Sequence, residues 1–189
     1  RDRFDLMAVE VFETGKPWAE ADGDIAEAID FCDFYANEME RLGAPKKLSH
    51  VMGEWSYQSY DARGVALVIA PWNFPLAILC GMTAGALVTG NTVIMKPAEQ
   101  SSLIAHKLMK LILEAGFPKD AISFLPGLGE EVGAHLVAHK DVDIISFTGS
   151  KAVGLEIINQ CAKLQPGQRH LKKAVIEMGG KNAIILDSV

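Results

Sequence analysis

Lys96 and Glu99 are the side chains whose types and spacing point most directly to a ligand. They lie just beyond an apolar run, Thr92 to Met95, that has the composition of a buried strand. In an open parallel sheet, ligands bind beyond the carboxyl ends of the strands, where a carboxylate can accept both hydroxyls of an adenosine ribose and repel a 2′ phosphate. The pair therefore predicts a site for NAD rather than NADP. The alternative is a solvated salt bridge with no ligand.

Two other stretches have the composition of phosphate-binding turns. Gly127-Leu128-Gly129-Glu130-Glu131-Val132-Gly133 is similar to a dinucleotide fingerprint, although its last glycine comes one residue late. Thr148-Gly149-Ser150 precedes a helical stretch, where free backbone amides and the helix dipole favour an anion. Alone, the first is more simply explained as a tight turn between a strand and a helix, and the second is only suggestive.

The elements that position these residues form an alternation of strands and helices. Two helices, Arg3 to Thr14 and Ala19 to Leu42, come first, and Ser56 to Ala62 is expected to be a short exposed strand or a linker. Strand-like apolar runs then alternate with helix-length segments: Val65 to Ala70, Thr92 to Met95, Ile122 to Leu125, Ile144 to Phe147, Ala174 to Met178 and Ala183 to Leu186. Nearly uninterrupted apolar strands are typical of a parallel sheet covered on both faces. The predicted fold class is α/β with a doubly wound parallel sheet.

Charge and composition argue against several classes of partner. The net charge of -6 and the single short basic cluster, Arg169 to Lys173, argue against nucleic acid. The longest apolar stretch, Pro75 to Val88, is shorter than the roughly 20 residues that span a bilayer, so no membrane span is expected. Three widely spaced cysteines and an opening without a signal-peptide pattern favour the cytoplasm. The chain begins at Arg1 within a helical pattern and stops at Val189 after a strand-like run, so both ends are expected to be cuts.

The histidines and cysteines favour structural roles. His135 and His139 have a spacing that can bind zinc on a helix, but no glutamate stands beside the first, and no metal site is predicted. Cys32 and Cys80 lie in apolar helical patterns, and Cys161 lies near a helix end. None of the three has an evident activating base nearby in the sequence, so they are expected to be structural thiols.

Four motifs in the same order resemble the aldehyde dehydrogenase superfamily, and the match covers essentially the whole chain. They are Pro71-Trp72-Asn73-Phe74-Pro75, Lys96-Pro97-Ala98-Glu99, Phe147-Thr148-Gly149-Ser150 and Glu177-Met178-Gly179-Gly180-Lys181-Asn182. The segments Glu13 to Trp18, Ala28 to Phe31, Gln165 to Gln168 and His170 to Lys172 are similar to the 1-pyrroline-5-carboxylate dehydrogenase branch. That branch oxidises glutamate γ-semialdehyde to glutamate in proline breakdown. The resemblance implies an incomplete Rossmann-like cofactor domain, NAD as cofactor, an aldehyde substrate and a homo-oligomeric parent.

The resemblance also implies roles for the matched residues. A cysteine thiolate adds to the aldehyde, the amide of Asn73 would stabilise the oxyanion, and Glu177 would activate the water that hydrolyses the thioester. Glu27 and Phe74 would face the substrate tunnel. The implied cofactor-binding residues are Ile69, Ala70, Pro71, Trp72, Lys96, Pro97, Ala98, Glu99, Gly129, Gly133, Phe147, Thr148, Gly149, Ser150, Val153, Met178 and Gly179.

The expected organisation follows from the order of these motifs. Residues 1-62 are N-terminal helices and a linker of the cofactor domain, 63-178 the NAD-binding core, and 179-189 the start of a missing catalytic domain. The family's nucleophilic cysteine lies downstream of the position matching Glu177, so the chain alone is expected to be inactive. Three alternatives stay open: a nucleotide-binding module without catalysis, a dehydrogenase for succinate semialdehyde or a betaine aldehyde, and a structural piece that pairs with a partner.

Overall fold

Helices cover both faces of a five-stranded parallel sheet in the computed structural model, which describes residues 1-187. The helices are α1 Arg3–Thr14, α2 Trp18–Gly43, α3 Ala77–Val88, α4 Ser102–Glu114, α5 Ala134–Ala138 and α6 Lys151–Cys161. The strands are β1 Lys46–Lys47, β2 Tyr57–Gln58, β3 Val65–Ile69, β4 Thr92–Lys96, β5 Ile122–Phe124, β6 Ile144–Gly149 and β7 Lys173–Met178.

The order of the strands brings the predicted motifs to one edge of the sheet. The order is β5-β4-β3-β6-β7, and every neighbouring pair is parallel. The chain runs outward from β3 to β5 and then returns to place β6 on the other side of β3, which creates a switch point between β3 and β6. Ile69 is in register with both Lys96 and Phe147, and Thr148 is in register with Glu177. The segments that follow β3, β4 and β6 therefore meet at the same edge.

Alternating side chains of the strands fill two separate cores. Ala66 and Val68 pack with α1, α2, α3 and α4 on one face. Leu67, Ile145 and Phe147 pack with α5 and α6 on the other face. Strands that are buried on both faces explain the uninterrupted apolar runs in the sequence. The predicted doubly wound α/β fold is confirmed.

Small residues on α3 allow α2 to approach it closely. A Cβ atom added at Gly81 would lie 2.8 Å from the ring of Phe31, and one at Gly85 would lie 3.1 Å from the ring of Tyr35. Any larger residue at Gly81 would have to push the aromatic ring and its helix outward. The α2-α3 contact closes the core beneath the loop that follows β3.

The prediction of a strand from Ala183 to Leu186 is wrong. The chain has no regular structure from 179 to 187, and Ile184, Ile185 and Leu186 are at least 87% exposed. An apolar, β-branched sequence forms a strand only when a neighbouring strand supplies hydrogen bonds and an apolar layer covers it. Neither stands beside this segment within residues 1-187.

The other differences from the sequence prediction are small. The Ser56 to Ala62 segment contains β2, which pairs antiparallel with β1 in a short exposed hairpin. β3 ends one residue earlier than expected, whereas β4 includes Lys96 and β6 continues to Gly149. Over the part of the chain that the structure describes, no helix combines the length and the apolar character needed to cross a membrane.

Candidate functional site

A cleft of about 470 Å³ lies on the α5-α6 face of the sheet, beside the carboxyl ends of β3 and β4. Five of the predicted cofactor residues line it: Ile69, Lys96, Gly129, Gly133 and Val153. They come from four separate segments, and the strand order brings them together. This cleft is large enough for part of a dinucleotide and open enough to admit one.

The Lys96-Glu99 pair at the mouth of the cleft is not the solvated salt bridge of the alternative interpretation. The Lys96 side chain is only 4% exposed, and its Nζ donates to Glu99 Oε1 at 3.0 Å. Burial raises the pKa of Glu99, but hydrogen bonds from its own backbone amide, from Lys96 and from the Gly129 amide outweigh it, so the pKa lies below its usual range. Glu99 is therefore a charged carboxylate. Lys96 binds one of its oxygens, and the Glu99 side chain is 35% exposed.

The glycine-rich stretch packs against this pair. Residues Gly129–Gly133 form a π-helical turn that leads directly into α5. A Cβ atom on Gly129 would lie 3.7 Å from Glu99 Oε1, and one on Gly133 would lie 3.9 Å from Lys96 Cε. The turn therefore forms a wall of the cleft and also helps to keep Glu99 ionised.

The motif at the end of β6, Phe147 to Ser150, combines a close contact with a helix cap. A Cβ atom at Gly149 would lie 2.6 Å from Phe147 Cζ, so the buried Phe147 ring leaves room only for glycine there. The Ser150 side chain accepts a hydrogen bond from the Val153 amide at 3.4 Å and caps α6. A serine in this position is a strong helix N-cap, which accounts for its presence without a ligand. The cap also fixes the helix N-terminus at the ligand-binding edge of the sheet.

Asn73 follows β3 and Glu177 lies near the end of β7, at the same edge of the sheet, and only β6 separates these two strands. Asn73 is exposed in the loop between β3 and α3, together with Trp72 and Phe74. Glu177 is exposed near the end of β7 and lines a second cavity, of about 590 Å³, with Thr148 on the α3 face. Consecutive side chains of a strand point to opposite faces. Met178 accordingly packs on the other face, where its Sδ would lie 2.8 Å from a Cβ on Gly154.

The remaining predicted site residues surround these groups. Ala70 and Pro97 are buried, Pro71 and Ala98 are half-buried, and Gly179 is exposed after β7. Glu27 is half-buried on α2, and the cavity that contains Glu177 is lined by Phe31 and Tyr35 of that helix but, among the described residues, not by Glu27. The assigned role of each of these residues stays a prediction.

Lys16, which lies between the two predicted N-terminal helices, was not among the predicted site residues. Lys16 Nζ donates to the backbone carbonyl of Asn73 at 3.1 Å and lies 4.2 Å from the centre of the Phe74 ring. The two ends of the hydrogen bond are 57 residues apart in sequence, and no periodicity connects them. The one available signal was that Lys16 lies within the Glu13 to Trp18 segment that carries the resemblance.

The cysteines are arranged differently from one another. Burial raises the pKa of Cys161, and the neighbouring Cys32 raises the pKa of the buried Cys80. Cys32 Sγ lies 3.6 Å from Cys80 Sγ, and this hydrogen bond lowers the pKa of Cys32 to about 7. The sequence prediction of structural thiols did not include this pairing, which joins α2 to α3.

Among residues 1-187, no group of three or more His, Cys, Asp or Glu side chains could hold a metal ion, and the His135 and His139 rings lie 5.7 Å apart.

Comparison with known proteins agrees with this arrangement. The model of the aldehyde dehydrogenase family matches residues 1–189. The chain is 46% identical over 187 residues to 1-pyrroline-5-carboxylate dehydrogenase 2 of Bacillus subtilis, covering 99% of this chain and 36% of that protein. It thus spans about a third of the length of the curated relatives that it matches.

Two solved structures are similar in both sequence and fold. One is 1-pyrroline-5-carboxylate dehydrogenase from Thermus with bound NAD, at 47% identity and a TM-score of 0.93, covering 96% of this chain and 35% of that one. The other is proline utilization A from Bdellovibrio bacteriovorus, at 62% identity and a TM-score of 0.93, covering 95% of this chain and 19% of that one. The chain therefore belongs to the aldehyde dehydrogenase family.

Proposed function

We propose that this chain is the cofactor-binding part of an NAD-dependent dehydrogenase that oxidises L-glutamate γ-semialdehyde, which forms from 1-pyrroline-5-carboxylate, to L-glutamate. The observation that carries the proposal is the convergence of Asn73, Ser150 and Glu177 at the ends of the neighbouring strands β3, β6 and β7. A nucleotide-binding module without catalysis would require Ser150 and Glu99 but not an amide and a carboxylate at the other two positions.

NAD fits the residues of the cleft. The charged Glu99 carboxylate lies at its mouth, and Lys96 occupies only Oε1. Glu99 would accept the ribose hydroxyls, and its charge would disfavour a 2′ phosphate. Ser150 and the first turn of α6 would face the pyrophosphate, and Val153 would pack beside the adenine. Bound NAD would supply the hydride acceptor, as the Thermus relative with bound NAD suggests by analogy.

Asn73 and Glu177 would act on the aldehyde carbon in succession. The overall reaction converts aldehyde, NAD and water into carboxylate, NADH and protons. The Asn73 side-chain amide would donate to the oxyanion that forms when a cysteine thiolate adds to the carbonyl. After hydride transfer, the Glu177 carboxylate would take a proton from the water that hydrolyses the acyl-cysteine. We assign the thiolate to a cysteine outside these 189 residues. Cys80 and Cys161 are buried thiols with raised pKa, and Cys32, whose Sγ lies 3.6 Å from Cys80 Sγ, does not line the cavity that contains Glu177.

The substrate, setting and assembly belong to the same proposal. Glutamate semialdehyde is favoured over succinate semialdehyde and betaine aldehyde because the similar proteins include 1-pyrroline-5-carboxylate dehydrogenases and proline utilization A. The proposed reaction belongs to proline degradation. A cytoplasmic location fits three cysteines that are all free thiols. The parent is proposed to be a homo-oligomer that binds neither nucleic acid nor membrane.

The proposal is tested by NADH formation in a full-length protein that contains this sequence. Glutamate semialdehyde, succinate semialdehyde and betaine aldehyde are compared by kcat/KM, and the first is expected to be preferred. Asn73→Ala and Glu177→Gln are each expected to lower kcat by about 10²- to 10³-fold. Glu40→Gln, which changes an exposed glutamate on α2, serves as the matched control.

Three results would count against the proposal. Preference for betaine aldehyde would overturn the assignment of glutamate semialdehyde as the substrate. Full activity of Asn73→Ala would overturn the role of Asn73 in stabilising the oxyanion. NAD binding without turnover of any aldehyde would favour the nucleotide-binding module instead.

A further inference from the structure

A cluster of buried charged groups lies beneath the loop that carries Asn73. The side chain of Lys16 is 7% exposed and that of Asp24 is 0% exposed, and Glu10 is fully buried beside them. Lys16 comes from the short connection between α1 and α2, Glu10 from α1, and Asp24 from the first turns of α2. The cavities at the sheet edge and the mechanism proposed above use none of these three groups.

Lys16 and Asp24 contact the loop at three points, one at Asn73 itself and two in the residues that follow it. Lys16 Nζ donates to the Asn73 carbonyl oxygen at 3.1 Å and lies 4.2 Å from the centre of the Phe74 ring. Asp24 Oδ2 accepts from the Leu76 amide at 3.1 Å. The two side chains are joined to each other by a contact of 3.5 Å between Lys16 Nζ and Asp24 Oδ1. A single ion pair therefore fixes the backbone at Asn73, the ring at Phe74 and the start of α3.

The cluster can be buried because its charges cancel. Burial, followed by a hydrogen bond with Asp24, raises the pKa of Glu10 to about 9, so this acid is neutral near pH 7. With an anionic Glu10, both of its carboxylate oxygens and Asp24 Oδ1 would be left without a hydrogen-bond donor. A proton on Glu10 supplies a donor for Asp24. An ammonium, a carboxylate and a neutral acid then stand together with no net charge.

A buried ion pair of this kind contributes little to stability compared with apolar side chains of the same size, because both ions must be removed from water. Its value lies in fixing one geometry. The loop that it holds has exposed side chains at Trp72, Asn73 and Phe74, which pack too little to fix themselves. An amide that stabilises an oxyanion must be oriented before the reaction begins.

We propose that Lys16 and Asp24 are positioning residues, which hold the Asn73 amide and the Phe74 ring in the orientation that the reaction requires. Lys16 touches neither aldehyde nor cofactor and acts only through the loop. The catalytic part of this inference rests on the proposed function, whereas the restraint on the loop does not.

The restraint is tested by amide hydrogen exchange in the 189-residue chain. Lys16→Met keeps most of the length of the side chain and removes its charge and its donor. Exchange of the Leu76 amide, which donates to Asp24 Oδ2, is expected to become about tenfold faster or more, while the amides of β4 keep their protection. Lys119→Met, at an exposed lysine far along the chain, should change neither. Unchanged exchange in the loop of Lys16→Met would overturn the proposal.

The second arm uses a full-length protein that contains this sequence. Lys16→Met is expected to lower kcat for aldehyde oxidation by about tenfold to a hundredfold, because a small displacement of a catalytic group is costly. The Kd for NAD should change much less than kcat. Lys16 contacts the loop at Asn73 and Phe74, beyond the predicted cofactor residues Pro71 and Trp72, and the cofactor cleft lies on the other face of the sheet. An unchanged kcat, or an equal loss of kcat and of NAD affinity, would overturn the positioning role.

Lys16→Arg covers the case in which Lys16→Met does not fold. Arginine keeps the charge of the cluster, but its planar guanidinium cannot occupy the place of a compact ammonium. Folding is expected to be kept and kcat to fall by a smaller factor, and full activity of this variant would contradict the proposal. A wild-type full-length protein that oxidises no aldehyde would refute the proposed function and leave the exchange result to decide the restraint.

Discussion

At the scale of single residues, the site depends on two ion pairs, each between a buried lysine and one carboxylate. Lys96 is buried and directed at Glu99, and Lys16 is buried and directed at Asp24 and the Asn73 carbonyl. In both pairs the lysine is buried, so removal of its carboxylate partner would leave an uncompensated buried charge. A buried lysine therefore orients a proposed functional group on each side of the site: Lys16 acts on the loop that carries Asn73, and Lys96 acts on Glu99.

The buried Glu10 predicts a specific dependence of stability on pH. Its pKa of about 9 in the folded chain lies above the ordinary value of 4.5 for a glutamate, so between these values the folded state keeps a proton that the unfolded chain has released. The stabilisation is fully present below pH 4.5 and is lost as the pH rises toward 9. Glu10→Gln keeps a neutral donor facing Asp24 and Lys16 and cannot ionise. Its free energy of unfolding, measured in urea, should therefore fall less between pH 6 and pH 8.5 than that of the wild type.

The matched control for this prediction is Glu40→Gln, at an exposed position on α2. It should show the wild-type slope of stability against pH. If Glu10→Gln also follows the wild-type slope, Glu10 is already ionised in the folded chain and the account of a neutral cluster is wrong.

At the scale of elements, the α2-α3 contact supports the loop that carries Asn73, because both helices flank that loop. Gly81→Ala would place a Cβ 2.8 Å from the Phe31 ring and is expected to lower the free energy of unfolding by about 1–3 kcal/mol. Gly23→Ala makes the same chemical change inside α2, where nothing lies within 4 Å of the new Cβ. It should raise the free energy of unfolding by about 0.5–1 kcal/mol. Chemical denaturation of both variants checks the pair, and equal effects would contradict the packing.

The elements were largely predictable from the sequence, and their contacts were not. The apolar runs from Val65 to Phe147 alternate with helix-length segments, which is enough to infer a doubly wound sheet and to place Glu99 and Ser150 at its edge. The run from Ala183 to Leu186 has the same composition but no neighbouring strand, so composition alone gave a wrong strand. Lys16 and Asn73 meet only because α1 and α2 fold over the sheet, and no local pattern carries that information.

At the scale of the whole molecule, the proposed cofactor site and the proposed substrate site lie on opposite faces of the sheet. The α5-α6 face contains the cleft that is lined by Lys96, the partner of Glu99, and the α1-α4 face supports Asn73 and the cavity beside Glu177. The strand order brings the two faces together at one edge. The chain spans 36% of the length of its Bacillus subtilis relative, and we expect it to bind NAD and not to oxidise an aldehyde by itself. NADH formation by the purified chain that Cys80→Ser abolishes would contradict this division.

The most direct test of the account is calorimetric titration of the folded chain with NAD and, separately, with NADP. We predict saturable binding of NAD, weaker binding of NADP, and a loss of NAD affinity of about tenfold to a hundredfold in Glu99→Ala, because a charge-assisted hydrogen bond contributes about 1.5–3 kcal/mol. Glu40→Ala should bind NAD as the wild type does. No binding heat with either dinucleotide from a folded chain, or equal affinity in Glu99→Ala, would contradict the assignment of the cofactor cleft.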